Sequence, residues 1–183
     1  MSGKAGITFV TKDCVAGHTM NVGETSSGGW EACGMRSWMS SDLLGELPDG
    51  LRAAIVPVSK LTNNVGETED PSSVTATEDL LWLLSYVELV GPEQAADGWS
   101  NEAYGTVYSA EGSQYQLFSD QGVRDGDPNE VLVKRLDGEA AIWWGRSPSP
   151  SNSYYFKDVN YVGFPHFSHF AGYSYGVAPC FCL

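Results

Sequence analysis

The sequence predicts an α+β domain with a mainly antiparallel sheet and long loops. Helix-like patterns occur early, at residues 26–47 and 75–91, and strand-like patterns dominate after residue 130. Because helices and strands are segregated rather than alternating, parallel βαβ units are not expected. The 183 residues include 21 Gly and 9 Pro, which favours many turns. Residues 1–183 are therefore predicted to form a single domain.

The first third of the chain is predicted to contain a strand, a broken helix and a second strand. Residues 6–12 (GITFVTK) alternate as a strand does. Residues 26–47 carry apolar side chains at helical spacings after a pair of serine caps, with a break near Ser40. Residues 51–62 resemble a strand in which Pro57 marks an edge or a bulge.

The middle of the chain is predicted to contain two polar loops around one apolar element. Residues 63–74 and 92–130 are rich in turn-forming residues. Between them, Thr75 and Glu78 form a capping box that predicts a helix within residues 75–91, although a short helix leading into a buried strand fits equally well. Three strands are predicted to follow, at residues 130–136, 139–147 and 175–181.

Tryptophan and cysteine are expected to supply the core. Trp143 and Trp144 would face opposite sides of a strand, so at most one is expected in the main core. Cys180 and Cys182 lie on one face of an extended segment but too far apart to pair easily. All four cysteines are therefore expected to be free thiols that are mostly buried.

Charge and hydropathy exclude several classes of partner. The formal net charge of −13 argues against nucleic acid and against anionic membrane surfaces, because both attract Lys and Arg. No apolar run approaches the roughly 18 residues that a membrane-spanning helix needs. The first ten residues also lack the basic and apolar regions of a signal peptide.

Residues 125–130 (DGDPNE) match the first positions of a calcium-binding loop. Asp125, Asp127 and Asn129 stand at alternate positions, as the first ligands of such a loop do. However, Glu130 occupies the position where the sharp turn needs Gly, and Leu136 the position of the bidentate Glu. A polar turn is the preferred interpretation, and a structural calcium ion is the alternative.

No other cofactor or catalytic motif is evident. His166 and His169 with the late cysteines offer zinc-type ligand atoms, but their spacings match no usual zinc site. The three His make a catalytic triad conceivable without marking one, and no phosphate-binding or dinucleotide-binding fingerprint occurs. We therefore expect no catalytic residue, no metal ligand and no cofactor.

Residues 151–175 have an unusual composition. They contain five Tyr, four Phe and two His, interleaved with Ser, Asn and Gly, but no Leu, Ile or Met. Cores are normally built from aliphatic side chains, and disordered segments are poor in aromatics. Tyr-rich segments with Ser, Gly and Asn are typical of binding surfaces such as antibody loops. Binding is therefore favoured over an unusual surface hairpin.

The stretch WWGRSPSPSNSYYFKDVNYVGFPHFSHFAGYSYGVAPCF resembles the variable region of target proteins of diversity-generating retroelements. Upstream, GWEACGMRSWM, LPDGLRAAIVPVSK and TEDLLWLLSYVELVG are similar to a lectin-like domain of gut bacterial and phage surface proteins. The resemblance implies a C-type lectin fold in the branch shared with formylglycine-generating enzymes, with two helices and a twisted sheet. It also implies that residues 143–183 form the variable, ligand-binding region.

The resemblance accounts for the composition of this region. In such proteins a reverse transcriptase randomises adenines in AAC-type codons, which supply Phe, Tyr, His, Asn, Asp, Ser and Gly but never Lys, Glu, Gln, Met or Trp. Lys157 departs from this pattern, so this position is expected to be fixed or to have a different codon, and Gly145 stands where the family usually has Leu. The implied contact residues are Ser151, Asn152, Tyr154, Tyr155, Asp158, Asn160, Tyr161, Phe164, His166, Phe167, Ser168, His169, Phe170, Tyr173 and Tyr175.

Fixed scaffold positions are implied between the varied ones. They are Phe156, Val159, Gly163, Ala171, Gly176, Val177 and Pro179. Gly176 is further expected to need a backbone conformation that only Gly tolerates.

The implied function is display of a variable surface to a protein or glycan on a target cell. The implied location is a phage tail tip or a bacterial cell surface, without nucleic acid and without membrane insertion; an oligomer is compatible with this role. The cysteine spacing does not match the catalytic pair of the related enzymes, so enzymatic activity is not expected. The alternatives are a formylglycine-generating-like oxidative or carbohydrate-acting enzyme, and a virion structural domain whose aromatic segment packs against a neighbouring subunit.

Overall fold

The computed structural model describes residues 6–92 and 102–183 and has the mixed α+β architecture predicted from the sequence. The strands are β1 (Thr8–Val10), β2 (Ala16–His18), β3 (Val58–Asn63), β4 (Val74–Asp79), β5 (Lys134–Leu136), β6 (Glu139–Ala141), β7 (Trp143–Pro148), β8 (Tyr155–Val159), β9 (Ser168–Phe170), β10 (Tyr175–Val177) and β11 (Cys180–Cys182). The α-helices are α1 (Gly34–Trp38), α2 (Leu44–Glu46), α3 (Asp49–Ala54), α4 (Tyr86–Val90), α5 (Glu102–Ala110) and α6 (Gln116–Asp120). The described residues thus contain six short α-helices rather than two.

A five-stranded sheet is the centre of the fold. Its strand order is β2-β10-β7-β8-β9, in which β10 and β7 are parallel and the other neighbours are antiparallel. Three two-stranded antiparallel ribbons, β1-β11, β3-β4 and β5-β6, surround it. Bridges from β11 to Val56 and Trp82 connect the β1-β11 ribbon to the rest of the chain.

The predicted broken helix begins later than expected and stays helical through its break. Residues 27–32 form turns, α1 begins at Gly34, and a π-helical stretch, Met39–Leu43, leads into α2. The hydroxyls of Ser40 and Ser41 both donate to the carbonyl of Ser37. Such side-chain bonds compete with the regular helical ladder, which explains why the irregular stretch lies where the sequence predicted a break.

The prediction of a strand at residues 51–62 is wrong for the first half of this range. Asp49–Ala54 form α3, and the strand begins only at Val58, after Pro57. Leu, Arg and Ala are good helix formers, and Pro48 supplies the N-terminal boundary of the helix. The apolar run therefore divides at the proline into a helix and a strand.

The capping box predicted at Thr75 is also wrong. Residues Val74–Asp79 form β4, and the capping box lies ten residues later, where the Ser85 hydroxyl accepts from the Glu88 amide and the Glu88 carboxylate accepts from the Ser85 amide. Thr75 alternates with Thr77 and Asp79 along a strand. Local spacing alone could not decide between the two boxes because both have the required residue types.

The late strands are confirmed with shifted ends. A 3₁₀ turn, Glu130–Leu132, precedes β5, a break separates β6 from β7, and Pro179 divides the last predicted strand into β10 and β11. The segment predicted as a loop at 92–130 instead contains α5 and α6, and part of that prediction, residues 93–101, lies outside the described residues.

Both adjacent tryptophans of β7 are buried, which contradicts the expectation that at most one is. Trp143 and Trp144 are each 0% exposed, because the central sheet is covered on both faces. The Trp143 indole N–H donates to the Leu132 carbonyl at 2.8 Å, and that of Trp144 to the His18 carbonyl at 3.0 Å. The cysteine expectation is confirmed: all four are free, and three are buried.

A buried network of charges, the Arg146 cluster, ties β7 to β3 and α4. Arg146 is 0% exposed and donates to the Glu88 carboxylate at 2.5 Å and to the Thr62 hydroxyl at 2.7 Å. Lys60 also pairs with Glu88, and the Glu111 carboxylate accepts from the hydroxyl of Ser147. Since every member is hydrogen-bonded, the cluster fixes the strand that supports the C-terminal segment. Arg146, Lys60, Glu88 and Glu111 are its charged members.

Candidate ligand-binding surface

The aromatic side chains of residues 151–175 form one continuous surface around the edge strand β9. We call this the aromatic surface, and its members are Tyr154, Tyr155, Phe164, His166, Phe167, His169, Phe170, Tyr173 and Tyr175. They come from β8, β9, β10, the loops between these strands and the turn that precedes β8. Sequence reasoning selected every one of them.

Pairing of β8 with β9 brings the first group of rings together. Tyr155 is opposite Phe170 in the antiparallel register, and their ring centroids are 4.7 Å apart in an edge-to-face arrangement. Tyr173 contacts Phe170 at 5.5 Å. Aromatic pairs at such distances and angles are favourable beyond the area they bury, so these rings hold one another in place.

The loop from β8 to β9 supplies the second group. Phe167 contacts Phe164 at 5.5 Å and His169 at 6.3 Å. Tyr175 joins this group to the core, because its ring lies 5.3 Å from His169 and 5.0 Å from the buried ring of Trp144.

Four tyrosine and phenylalanine side chains are notably exposed in this region. Tyr154 is 52% exposed, Tyr161 58%, Phe167 42% and Tyr173 44%. Exposed single apolar residues are ordinary, but a contiguous apolar patch marks a binding site in a soluble domain. The exposure therefore agrees with a contact role for these residues, while Phe164, Phe170 and Tyr175 are half-buried supports.

The backbone under the aromatic surface is tightly fixed. The Asn160 side chain accepts from the amides of Val162 and Phe164, each at 3.0 Å, and the Asn152 side chain accepts from the Tyr154 amide at 2.8 Å. Ser151 donates its amide to the Ser149 hydroxyl. These three predicted contact residues, Ser151, Asn152 and Asn160, thus hold the loops in place, and such asparagine-centred turns are stable local structures.

His169 is oriented by a buried carboxylate. Its Nδ1 lies 2.7 Å from Oδ2 of Asp158, which is 1% exposed. The hydrogen bond with Asp158 raises the pKa of His169 above its usual value. Asp158 was predicted as a contact residue, but it lies beneath the surface and supports His169; burial raises its own pKa although His169 opposes this.

His166 has a parallel arrangement with a carboxylate from another part of the chain. Its Nδ1 lies 2.9 Å from Oδ1 of Asp125, whose side chain is 5% exposed. Burial raises the pKa of Asp125, but hydrogen bonds from His166 and Tyr86 outweigh it and lower that pKa below its usual value. Asp125 belongs to the stretch interpreted as a polar turn or a calcium loop, and nothing in the sequence indicated its pairing with His166.

Lys157 is buried and interacts electrostatically with both carboxylates. Its ammonium group donates to the carbonyl of His166 at 3.0 Å and lies 4.4 Å from the ring centre of Tyr86. Burial lowers the pKa of Lys157 to about 8, against the opposing effect of Asp125 and Asp158. Lys157 is therefore a buried support rather than a contact residue.

The seven implied scaffold positions are all buried, which agrees with their expected role. Gly176 is required for a different reason than predicted. Its φ is not in the left-handed region, but a Cβ at this position would lie 2.4 Å from Sγ of Cys14. Close approach of β10 to Cys14, rather than backbone conformation, therefore excludes larger residues.

Residues 6–92 and 102–183 contain no group of three or more His, Cys, Asp or Glu side chains that could hold a metal ion. Of the three proposed calcium ligands, Asp125 binds His166, and the Asn129 side chain accepts from the Val131 amide. No helix in the same ranges is long and apolar enough to cross a membrane.

Comparison with known proteins gives one match. Neither the curated proteins nor the solved structures contain a significant match to this chain. One family model matches residues 5–183, nearly the whole chain. The chain belongs to this family, which is described as Domain of unknown function (DUF6273).

Proposed function

We propose that this protein is a ligand-binding display domain of the C-type lectin fold. Its aromatic surface contacts a protein or glycan on a target cell, and its C-terminal region is diversified by a retroelement. The protein is carried on a phage tail tip or on a bacterial cell surface. The observation that supports the proposal is a difference in burial between two sets of residues. Most predicted contact side chains are exposed or half-exposed, whereas all the predicted scaffold positions are buried.

The chemistry of the aromatic surface suits recognition. Tyr and Phe provide large contact areas with few rotatable bonds, and the fixed backbone lowers the entropy lost on binding. Tyr173 and Phe167 are the most central exposed rings, because each contacts at least two other members of the surface. Central aromatic residues usually carry most of the binding energy of an interface.

The gene sequence tests the retroelement. The codons of the contact residues are expected to end in a pyrimidine, and a near-identical adenine-rich repeat is expected nearby. Mixed third bases without a repeat would exclude diversification while leaving the binding role open.

A binding experiment tests the aromatic surface together with the exposed Tyr161. Fluorescently labelled protein is applied to a glycan array and to a panel of intact bacterial cells, together with a variant in which Tyr155, Tyr161, Phe167 and Tyr173 are Ser. The matched control replaces four exposed apolar residues outside the surface, namely Ile7, Val22, Val56 and Val65, with Ser. Retention by the wild type and the control, but not by the aromatic variant, supports the proposal; equal retention of all three contradicts it.

A further inference from the structure

One edge of β1 is unpaired. β1 pairs with β11 in the register Phe9 to Phe181, and the amides of Thr11 and Leu183 donate to the carbonyls of Pro179 and Ile7. In an antiparallel ladder alternate residues face the partner strand, so the N–H and C=O groups of Thr8 and Val10 point away from β11. Within residues 6–92 and 102–183 no strand pairs with this edge.

Two adjoining cavities open along the same edge. The larger, about 420 Å³, is bordered by Thr8, Val10 and Leu117, and the smaller, about 270 Å³, by Val10, Leu117 and Val133. They share Val10 and Leu117, and the Leu117 side chain is 50% exposed. Together they form a groove between β1 and α6, which we call the β1 groove.

The smaller cavity has a cationic end. Lys134 borders it and is 4% exposed; its ammonium group donates to the carbonyls of Thr11 and Lys12. Among the described residues no carboxylate forms an ion pair with Lys134. Lys12 also borders this cavity, together with the carboxylate of Glu130, so the formal charge here is positive in a chain of net charge −13.

A further polar group at this end lacks a partner. The hydroxyl of Thr11, which borders the smaller cavity, is buried without a hydrogen-bond partner among the described residues. Buried polar groups are normally satisfied, so this hydroxyl has unused hydrogen-bonding capacity at the end of the cavity.

We propose that the β1 groove binds an extended peptide segment that adds to the open edge of β1 as an extra strand. Its backbone pairs with Thr8 and Val10, an apolar side chain enters the larger cavity, and an acidic residue lies near Lys12 and Lys134. This is the known mode of β-strand addition, in which main-chain bonds supply affinity and alternate side chains supply specificity. The open edge and the local charge together define the partner as an acidic, extended segment of another protein.

The β1 groove is separate from the aromatic surface. No residue that borders its cavities belongs to that surface, so a carrier protein bound at β1 would leave the aromatic rings available. A second copy of this chain is a poorer occupant, because each copy carries a formal charge of −13 and the copies repel each other.

The test uses fluorescence anisotropy of the whole protein with a labelled hexapeptide of alternating Thr and Val that ends in Asp and Glu. Two comparison peptides are the same sequence ending in two Lys, and the acidic peptide with alternate backbone amides methylated. We expect the acidic peptide to bind, and either change to weaken binding by roughly tenfold, because one removes charge attraction and the other removes ladder hydrogen bonds.

Two charge-reversed variants locate the site. Lys12→Glu is expected to weaken binding of the acidic peptide by roughly tenfold, because the attraction between Lys12 and the acidic residues becomes a repulsion. Arg52→Glu makes the same charge change on an exposed side chain that does not border the groove, and is expected to bind as the wild type does.

Four outcomes overturn the proposal. Equal binding of the methylated peptide means that no strand is added, and equal binding of the basic peptide means that charge does not select the partner. An equal loss in both charge variants means that the peptide binds elsewhere. Self-association of the free protein through β1 in sedimentation experiments means that a second copy occupies the groove. The four-Ser aromatic variant should bind the hexapeptide normally, so failure here and failure of target binding are distinguishable.

Discussion

The aromatic surface and the Arg146 cluster lie on neighbouring strands, but their side chains serve opposite purposes. In the Arg146 cluster the side chains are buried, and they make with one another the hydrogen bonds that water would otherwise supply. At the aromatic surface the backbone is fixed by turns and strand pairing, while many side chains remain exposed. A backbone fixed by turns and strand pairing can therefore hold side chains that are themselves partly exposed.

Arg146→Ala is expected to have the largest effect on stability. The change leaves the carboxylates of Glu88 and Glu111 buried without their principal counter-charge, and breaking such pairs costs several kcal/mol. We expect the free energy of unfolding to fall by about 5 kcal/mol, measured by urea denaturation. A loss below about 1 kcal/mol would show that the cluster does not support the fold.

Trp144→Ala is expected to follow, because this residue belongs to both regions. Its ring is fully buried and contacts Tyr175 of the aromatic surface. Loss of a large buried ring should lower the free energy of unfolding by about 4 kcal/mol in the same denaturation experiment. If the variant were as stable as the wild type, Trp144 would not be part of the core.

Glu111→Gln is expected to change how the free energy of unfolding depends on pH. Burial raises the pKa of Glu111 to about 7, from an ordinary 4.5, although Arg146 and Ser147 oppose this. The folded state therefore holds a proton that the unfolded state releases, so this stabilisation is complete below pH 4.5 and is lost as pH rises to 7. The loss amounts to about 3 kcal/mol.

The Gln variant carries no titrating group at this position, so this part of the pH dependence should disappear. Urea denaturation of both proteins at pH 4.5, 6 and 7 measures it, and the difference between them isolates Glu111 from other titrating groups. Identical pH profiles of the two proteins would contradict the raised pKa.

The four-Ser variant at Tyr155, Tyr161, Phe167 and Tyr173 is expected to have the smallest effect on stability. Tyr161, Phe167 and Tyr173 are exposed, and substitutions at exposed sites usually change the free energy of unfolding by up to about 0.5 kcal/mol each. Tyr155 is half-buried and pairs with Phe170, so its replacement adds roughly 1 kcal/mol, and the total should stay within about 2.5 kcal/mol. The far-ultraviolet circular dichroism spectrum should be unchanged, whereas target binding should be lost. Unfolding of this variant, with Trp144→Ala remaining stable, would identify the aromatic surface as core and exclude the display role.

Local chemistry made some features predictable and misled at others. The irregularity near Ser40 was predicted and follows from side-chain bonding within a few residues. The break at Pro179 was not predicted, although proline lacks the N–H that a strand ladder needs. The capping box was predicted ten residues early, because Thr75 with Glu78 and Ser85 with Glu88 satisfy the same local rule. Strand pairing of β4 with β3 decided between them, and that contact lies outside any local window.

Composition by itself favoured a binding surface for residues 151–175, and the resemblance implied which of their side chains make contacts. Only the tertiary structure decided that Asp158, Asp125 and Lys157 lie beneath that patch, that Gly176 faces Cys14, and that one edge of β1 remains open. The reason is physical: composition reflects what a segment can contact, whereas burial, close approach and strand order depend on partners that are distant in the sequence.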